Sequence, residues 1–430
     1  MIPTTRAAVV AALGVVPAAL WPRPQTVLLW LGLVVLGCVV DTVLAASPRR
    51  VQAARTVPAS VRLGEPTTST LTLTHAGPRT LRALVRDAWP PSAGATADRH
   101  RVTIPAGERR RVRTALLATR RGDRTADLVT VRSVGPLGLA ARQASLSASA
   151  TLRVLPAFAS RRHLPSRLAR LREMDGRTAV LVRGQGTEFD SLREYVIGDD
   201  VRAIDWRATA RGGDVVVRTW RPERDRRVLI VLDVARLSAA RLGDAPRLDA
   251  QIEAALLLAA LASRAGDRVD LVAVDNQVRA RVAGEQGARL MNALAAAMAP
   301  LEPSLVEISW TDVTQVVRDT LSQRALVVLL TALEPSAVTS GLLPVAQALT
   351  ADHTVVLASA SDPEVAAIRA DRSGTDAVFD AAAAERGEIE RDAVARRLRR
   401  RGVEVVEATP DELAPALADT YLALKAAGRL

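Results

Sequence analysis

The sequence predicts a three-part chain: an N-terminal transmembrane helical hairpin, an antiparallel β-sandwich-like domain, and a C-terminal α/β doubly wound domain. Three observations predict it. Two apolar runs lie within the first 46 residues, short segments of period-two alternation follow, and beyond Arg227 buried-strand patterns alternate with helical ones. The expected boundaries are 1–48 for the anchor, 49–157 for the β domain, 158–227 for a charged segment linking the domains, and 228–430 for the α/β domain. A chain of 430 residues is long enough to bury two cores. With 49% hydrophobic residues but 3% aromatic ones, those cores must be built from Ala, Val and Leu.

In the anchor, Ala7 to Trp21 and Thr26 to Ala46 are apolar runs separated by Pro22, Arg23, Pro24 and Gln25. The second run has the ~20 residues that a helix needs to cross a bilayer. The first is short and carries Pro17, so it crosses only with help from its neighbour. Trp21 and Trp30 are expected near an interface, and Asp41 is expected to reach the headgroups from near the end of the second run. A signal peptide is the competing reading of Arg6 and the apolar stretch behind it. No small-x-small cleavage site precedes the second run, which opposes that reading. Arg49, Arg50 and Arg55 follow the second run, against Arg23 alone in the turn. This asymmetry predicts a cell-membrane protein with two spans, both termini and the soluble domains being cytoplasmic. The only cysteine, Cys38, falls within the second span, so no disulfide argues for an exported domain.

The β domain is predicted by TSTLTLTH, which alternates polar and apolar residues, and by further short segments up to Leu155. Gly-Glu-Pro, Pro-Ala-Gly-Glu and Gly-Pro-Leu-Gly punctuate them as turns, the pattern of a small antiparallel sandwich. Residues 48–152 hold 18 basic against 6 acidic side chains, whereas 228–430 hold 21 against 28. The positive excess therefore lies beside the apolar N-terminus. That suits an anionic lipid surface better than a nucleic-acid groove, and no base-reading module accompanies it, so no nucleic acid is expected as a partner. The plainer alternative is a solvated β domain in an arginine-rich protein: of 58 basic residues, only Lys425 is lysine.

In the α/β domain the runs 228–234, 269–275, 325–331, 353–359 and 403–408 read as buried parallel strands. Helical stretches are expected over 249–264, 286–299, 312–321, 343–350, 385–401 and 411–427. Such alternation forces a parallel sheet with helices on both faces, and ligands of such sheets sit at the carboxyl ends of the strands, where Asp233 lies.

Between these domains runs a dense mixed-charge block containing LREY (192–195), GDD (198–200), RAIDW (202–206) and Ala210-Arg211. This block resembles the signature of the bacterial domain of unknown function 58 family. Arg121-Gly122 and Pro136 to Leu139 are similar to that family's usual sequence before the signature. The resemblance implies a membrane-anchored protein with a von Willebrand factor A-like C-terminal domain, and a MoxR-type AAA+ ATPase as partner in assembling or maturing other proteins. In the block, Glu188, Asp190, Glu194, Asp199, Asp200 and Asp205 interleave with Arg193, Arg202, Arg207 and Arg211, alongside Phe189, Tyr195, Trp206 and Trp220. Arginine forks and exposed aromatics are what protein interfaces concentrate. The same charges can instead pair internally, with Gly198 and Asp199 in a tight turn, and lock the two domains together. The candidate partner-binding or interdomain residues are thus Arg193, Glu194, Tyr195, Gly198, Asp199, Asp200, Arg202, Asp205, Trp206 and Arg211. A third use of the acids, proton transfer or metal binding, stays open.

The resemblance also implies where an adhesion-type metal site would lie, and there the residues have changed. A D-x-S-x-S loop is needed, but the chain reads Asp233-Val234-Ala235-Arg236-Leu237. The threonine position survives as Thr311 and the late aspartate position is Ala332, leaving Asp233 and Thr311 as remnants. A hard cation needs more oxygen ligands than these, so no metal is expected and Asp233 is read as structural. Scarcity excludes other chemistry. One lysine near the C-terminus rules out a Walker A loop or an interior Schiff base, so Gly184 and Gly186 form a turn rather than a phosphate cradle. One cysteine removes thiol catalysis, and His75, His100, His163 and His353 are scattered. The preferred expectation is an interaction or scaffold protein, neither an enzyme nor a cofactor binder. The alternatives are a metal-dependent adhesion module or enzyme using the acidic cluster, and an anionic-lipid-surface protein.

Overall fold

The computed structural model describes residues 2–430 apart from 182–187, 198, 222–225 and 338–340; for 175–181, 188–191, 219–221 and 337 it describes the backbone alone. Contacts divide the chain into two units, Met1–Ala157 and Phe158–Leu430.

The first unit opens with Ile2–Pro3, which adds a short antiparallel strand to the sandwich by pairing with Ala140 and Ala141. Helices Thr5–Ala12 and Val15–Leu20 follow, and then Pro24–Leu44. The apolar run expected from Ala7 to Trp21 is thus two short helices. Gly14 lies at the break, where a Cβ would collide with the Trp30 indole. Trp30 does not keep its N–H for an interface; Nε1 donates to the carbonyl of Val10 at 3.1 Å. Among the described residues, one helix is long and apolar enough to cross a membrane, the one running from Pro24.

The rest of the unit is β-rich. One sheet has the order Ile2–Pro3, Ala140–Leu155, Gly122–Val134, Leu81–Asp87, Arg99–Ile104, with Ser60–Arg62 joining Ala140–Leu155 in parallel. The other has Val51–Thr56, Thr67–His75, Arg109–Leu116, all antiparallel. Alternation fixes which side chains fill the space between: Leu71 and Leu73 from one sheet meet Leu81, Val85, Val129 and Val131 from the other, all fully buried.

Two expectations in this unit are corrected. Asp41 does not reach toward headgroups. It is fully buried, and its carboxylate accepts the backbone N–H groups of Leu137 (2.7 Å), Leu139 (2.7 Å) and Ala140 (2.8 Å). The turn that supplies these donors depends on Gly138, whose φ of +73° a side chain would strain. Arg55 likewise is no flanking surface charge. Its guanidinium is fully buried, paired with Asp87 at 2.7 Å, and donates to the carbonyls of Ala126 and Ala148. Ser69 and the Trp89 indole donate to the other Asp87 oxygen at 3.1 and 3.2 Å, so the pair is satisfied inside the core.

In the second unit six strands form one sheet in the order Val278–Val282, Arg268–Val274, Arg227–Asp233, Leu326–Leu330, Thr354–Ala360, Glu404–Ala408. All neighbours are parallel except Val278–Val282, an antiparallel edge. The central strand is buried on both faces. Val228, Ile230 and Leu232 pack with helices Arg247–Arg264, Gly287–Met298 and Pro410–Ala426; Leu229 and Val231 pack with Trp310–Thr320, Leu343–Asp352 and the end of Thr375–Arg399. The helix Leu164–Leu181 lay outside the expected elements. It buries Leu171 in the same core and ties Arg167 to Asp419 at 2.6 Å. Thr375–Arg399 begins ten residues before its expected start, and Pro363–Ala370, capped by Asp362, was not expected.

Candidate functional site

Within the signature, Glu188–Glu194 and Val216–Arg221 form a two-stranded antiparallel ribbon, and a 3₁₀ turn and a short helix lie between them. Three of the acids have local tasks. The Asp199 carboxylate takes a two-point contact from Arg193, 2.7 Å at Nη1 and 2.5 Å at Nη2, and accepts the Val196 N–H at 2.9 Å. Asp200 caps the turn Val201–Ala203 through the Arg202 N–H at 2.9 Å. Asp205 caps the helix Trp206–Gly212 by accepting the N–H groups of Arg207 and Ala208, both at 3.0 Å. Its second oxygen takes Arg218 Nε at 2.8 Å from the returning strand. The Ala208 N–H and then Arg218 hold this carboxyl below the usual range.

These bonds close within the signature itself. The large apolar side chains do not: Ile197 is 96% exposed and Trp206 67%, with Val196, Val201, Leu192 and Val215 also exposed. Of the remaining predicted residues, Glu194 and Arg202 project outward, Tyr195 is half-buried with its N–H on the Val215 carbonyl at 2.8 Å, and exposed Arg211 reaches the Arg207 carbonyl. Gly198, Gly184 and Gly186 lie outside the described residues. Arg218 was missed by sequence reasoning. Its signal is its place opposite Leu192 in the ribbon, which only the pairing reveals.

The second cluster sits at the carboxyl end of the sheet, where the strand order reverses between Arg227–Asp233 and Leu326–Leu330. Asp233 is 2% exposed. One carboxylate oxygen accepts the Thr331 hydroxyl at 2.6 Å and the other the Ala235 N–H at 2.8 Å. Burial pushes its carboxyl up, against the pull of these donors. Asp275, just past the end of the next strand, differs. Burial opposes its charge too, but Arg279 at 2.6 Å, Ser304 at 2.8 Å and the Gln277 N–H outweigh it and hold the carboxyl low. Ser238 donates to the Asp233 carbonyl at 2.7 Å. Buried Arg247 spans the Leu237 and Ala360 carbonyls at 2.9 and 3.2 Å. Thr331, Asp275, Ser304, Ser238 and Arg247 had no motif to mark them.

This cluster does not make a cage for a hard cation. Asp233 has both oxygens committed to protein donors, Ala235 and Ala332 are buried where hydroxyl and carboxylate would be needed, and Thr311 is exposed at the start of its helix. Among the described residues, no group of three or more His, Cys, Asp or Glu side chains is placed to hold a metal ion.

No curated protein matches the chain. Solved structures with local likeness include the CARDB domain of PF1109 from Pyrococcus furiosus in complex with di-metal ions, 11% identical, covering 26% of this chain and 90% of that one, TM-score 0.20. Others are native alpha-2-macroglobulin from Escherichia coli (17% identical, 26% of this chain, 18% of that one, TM-score 0.21) and a FixG-related protein from Vibrio parahaemolyticus (8%, 24%, 96%, 0.17). Likenesses of this size decide neither fold nor function. The family described as Protein of unknown function DUF58 matches residues 191–408, which is half of the chain and takes in most of the signature and all six strands of the sheet. The chain therefore belongs to the DUF58 family of proteins of unknown function.

Proposed function

We propose that this chain is a membrane-anchored interaction protein that uses the signature to bind a protein partner. One observation carries the reading: Asp199 and Asp205 pair with Arg193 and Arg218 of the signature itself, while Val196, Ile197, Val201 and Trp206 are left in water. Exposed apolar groups of this size, rimmed by arginines, mark interaction surfaces more often than they serve a monomer. The sheet supports a von Willebrand factor A-like reading of the C-terminal unit, because its parallel strands are flanked by one antiparallel edge strand and its central strand ends in Asp233. It would be a version without a metal, so recognition would fall to side chains rather than to a shared cation. The resemblance noted above points to a MoxR-type AAA+ ATPase as the partner.

The apolar helix from Pro24 supports anchoring, and two features of the first unit favour a double-crossing hairpin. Its start pairs with Ala140–Ala141 and its end is held through Asp41 on Leu137–Ala140, so both ends return to one side. The flanking arginines favour the cytoplasmic side. The test is capture of a purified MoxR-type ATPase by the full chain in mild detergent, with Trp206→Ala and Ile197→Ser as variants. Binding that both variants weaken at least tenfold supports the proposal; no binding, or binding indifferent to them, refutes it.

A further inference from the structure

We infer that arginines around the point where the apolar helices leave the sandwich form a collar that binds anionic phospholipid headgroups. This rests on the membrane-anchor reading above and names the lipid class that the anchor would select.

The first unit fixes that point from three directions. Asp41, on the last turn of Pro24–Leu44, is bonded to the Leu137–Ala140 turn; Thr4, before the first helix, donates its N–H to the Leu139 carbonyl at 3.0 Å; and Arg79 Nη1 donates to the carbonyls of Val43 and Leu44 at 3.0 and 3.3 Å. Arg79 thereby covers the carbonyl end of the helix with a cation, where the helix dipole favours one. Its side chain is nevertheless exposed. So are Arg6, lying against Gly138, and Arg49 and Arg50, in the 3₁₀ turn that follows the helix.

The same end of the sandwich is short of negative charge. Asp41 is buried, its carboxylate bonded to backbone N–H groups, and it makes no ion pair with these cations. Among the described residues no ion pair involves Arg6, Arg49, Arg50 or Arg79. Strand register adds Arg109, paired with Thr74 beside the Val51–His75 pair that starts the sheet. Glu108, next to it, is exposed and 3.7 Å from Arg110. A ring of guanidinium forks at the foot of an apolar helix matches the phosphate oxygens of a bilayer surface in charge and in donor geometry. An acidic protein surface would match the charge, but the apolar helices at the centre of the ring select the bilayer.

The full chain would be reconstituted into nanodiscs of equimolar phosphatidylcholine and phosphatidylglycerol, extracted gently, and the lipids retained on it weighed by native mass spectrometry. The collar predicts retention of phosphatidylglycerol over phosphatidylcholine, weakening by roughly fivefold for each arginine removed in Arg49→Gln, Arg50→Gln and Arg79→Gln. The corresponding lysine variants should keep the preference, as should Arg113→Gln, further along the strand Arg109–Leu116. High salt should erase it. Equal retention of the two lipids by the wild-type chain, or a preference untouched by the triple glutamine variant, overturns the collar while leaving the anchor intact. A chain that does not enter the discs at all defeats the anchor reading and the collar with it.

Discussion

Thr331 donates its hydroxyl to the carboxylate of Asp233 at 2.6 Å, joining the ends of two neighbouring parallel strands at the point where the strand order reverses. The bond gives Asp233 a structural partner in a place where sheets of this kind usually hold ligands.

Because burial raises the Asp233 carboxyl above its ordinary value, the folded state binds a proton there more tightly than the unfolded chain does. Its contribution to stability is full below the ordinary carboxylate pKa and is lost as pH rises through the raised folded value. Asp233→Asn removes that loss while keeping the side-chain shape. The melting temperature of the variant relative to that of the wild type should rise as the pH is raised above the ordinary carboxylate pKa. Parallel melting curves across that range would show that Asp233 does not titrate as described.

Asp41→Ala leaves the N–H groups of Leu137, Leu139 and Ala140 facing a cavity. An orphaned buried donor costs about 1–3 kcal/mol. Thermal unfolding in detergent should show a marked loss for Asp41→Ala and a smaller one for Asp41→Asn, which keeps one acceptor oxygen. An unchanged transition would mean that the carboxylate does not hold the helix to the sandwich.

Removing one partner of the buried Arg55–Asp87 pair leaves an unpaired charge in the core, which typically costs about 3–5 kcal/mol. Arg55→Ala should therefore shift the denaturant midpoint of the first unit strongly. Arg55→Met combined with Asp87→Leu should recover much of that shift, since the isolated charge is then gone. A double variant no better than the single one would point instead to the lost bonds to Ala126 and Ala148.

Trp206 is exposed, so Trp206→Ala should change stability by no more than about 0.5 kcal/mol. Arg193→Ala should instead loosen the turn at Val196 and Asp199, seen as faster amide exchange at Val196. A Trp206 variant that unfolds would remove the surface reading, because it would make the indole part of the fold.

Much of the fold was legible. Runs such as VLIVLDV have one physical explanation, a strand buried on both faces, and the structure has that strand at Arg227–Asp233. The edge strand Val278–Val282 was not legible, because at an exposed edge its alternate positions carry Arg279 and Arg281 and no apolar run forms. Helix Leu164–Leu181 was hidden by its many arginines; its apolar stripe shows itself only against the helices it packs on. In the signature the caps were half visible. Asp200 and Asp205 stand before short helical turns, but the Arg218 that completes Asp205 comes from a strand 13 residues away.

By itself the sequence determined what its composition and periods dictate: an apolar N-terminus, alternating β segments, a doubly wound sheet, and the absence of the lysine, thiol and histidine groupings that common enzymes need. The tertiary structure decided which charges are used. Asp41 and Arg55 read as membrane-flanking surface groups because a sequence shows only neighbours along the chain. Folding brings Leu139 to the first and Asp87 to the second across tens of residues, and it is contact through space that turns an exposed charge into a buried, satisfied one.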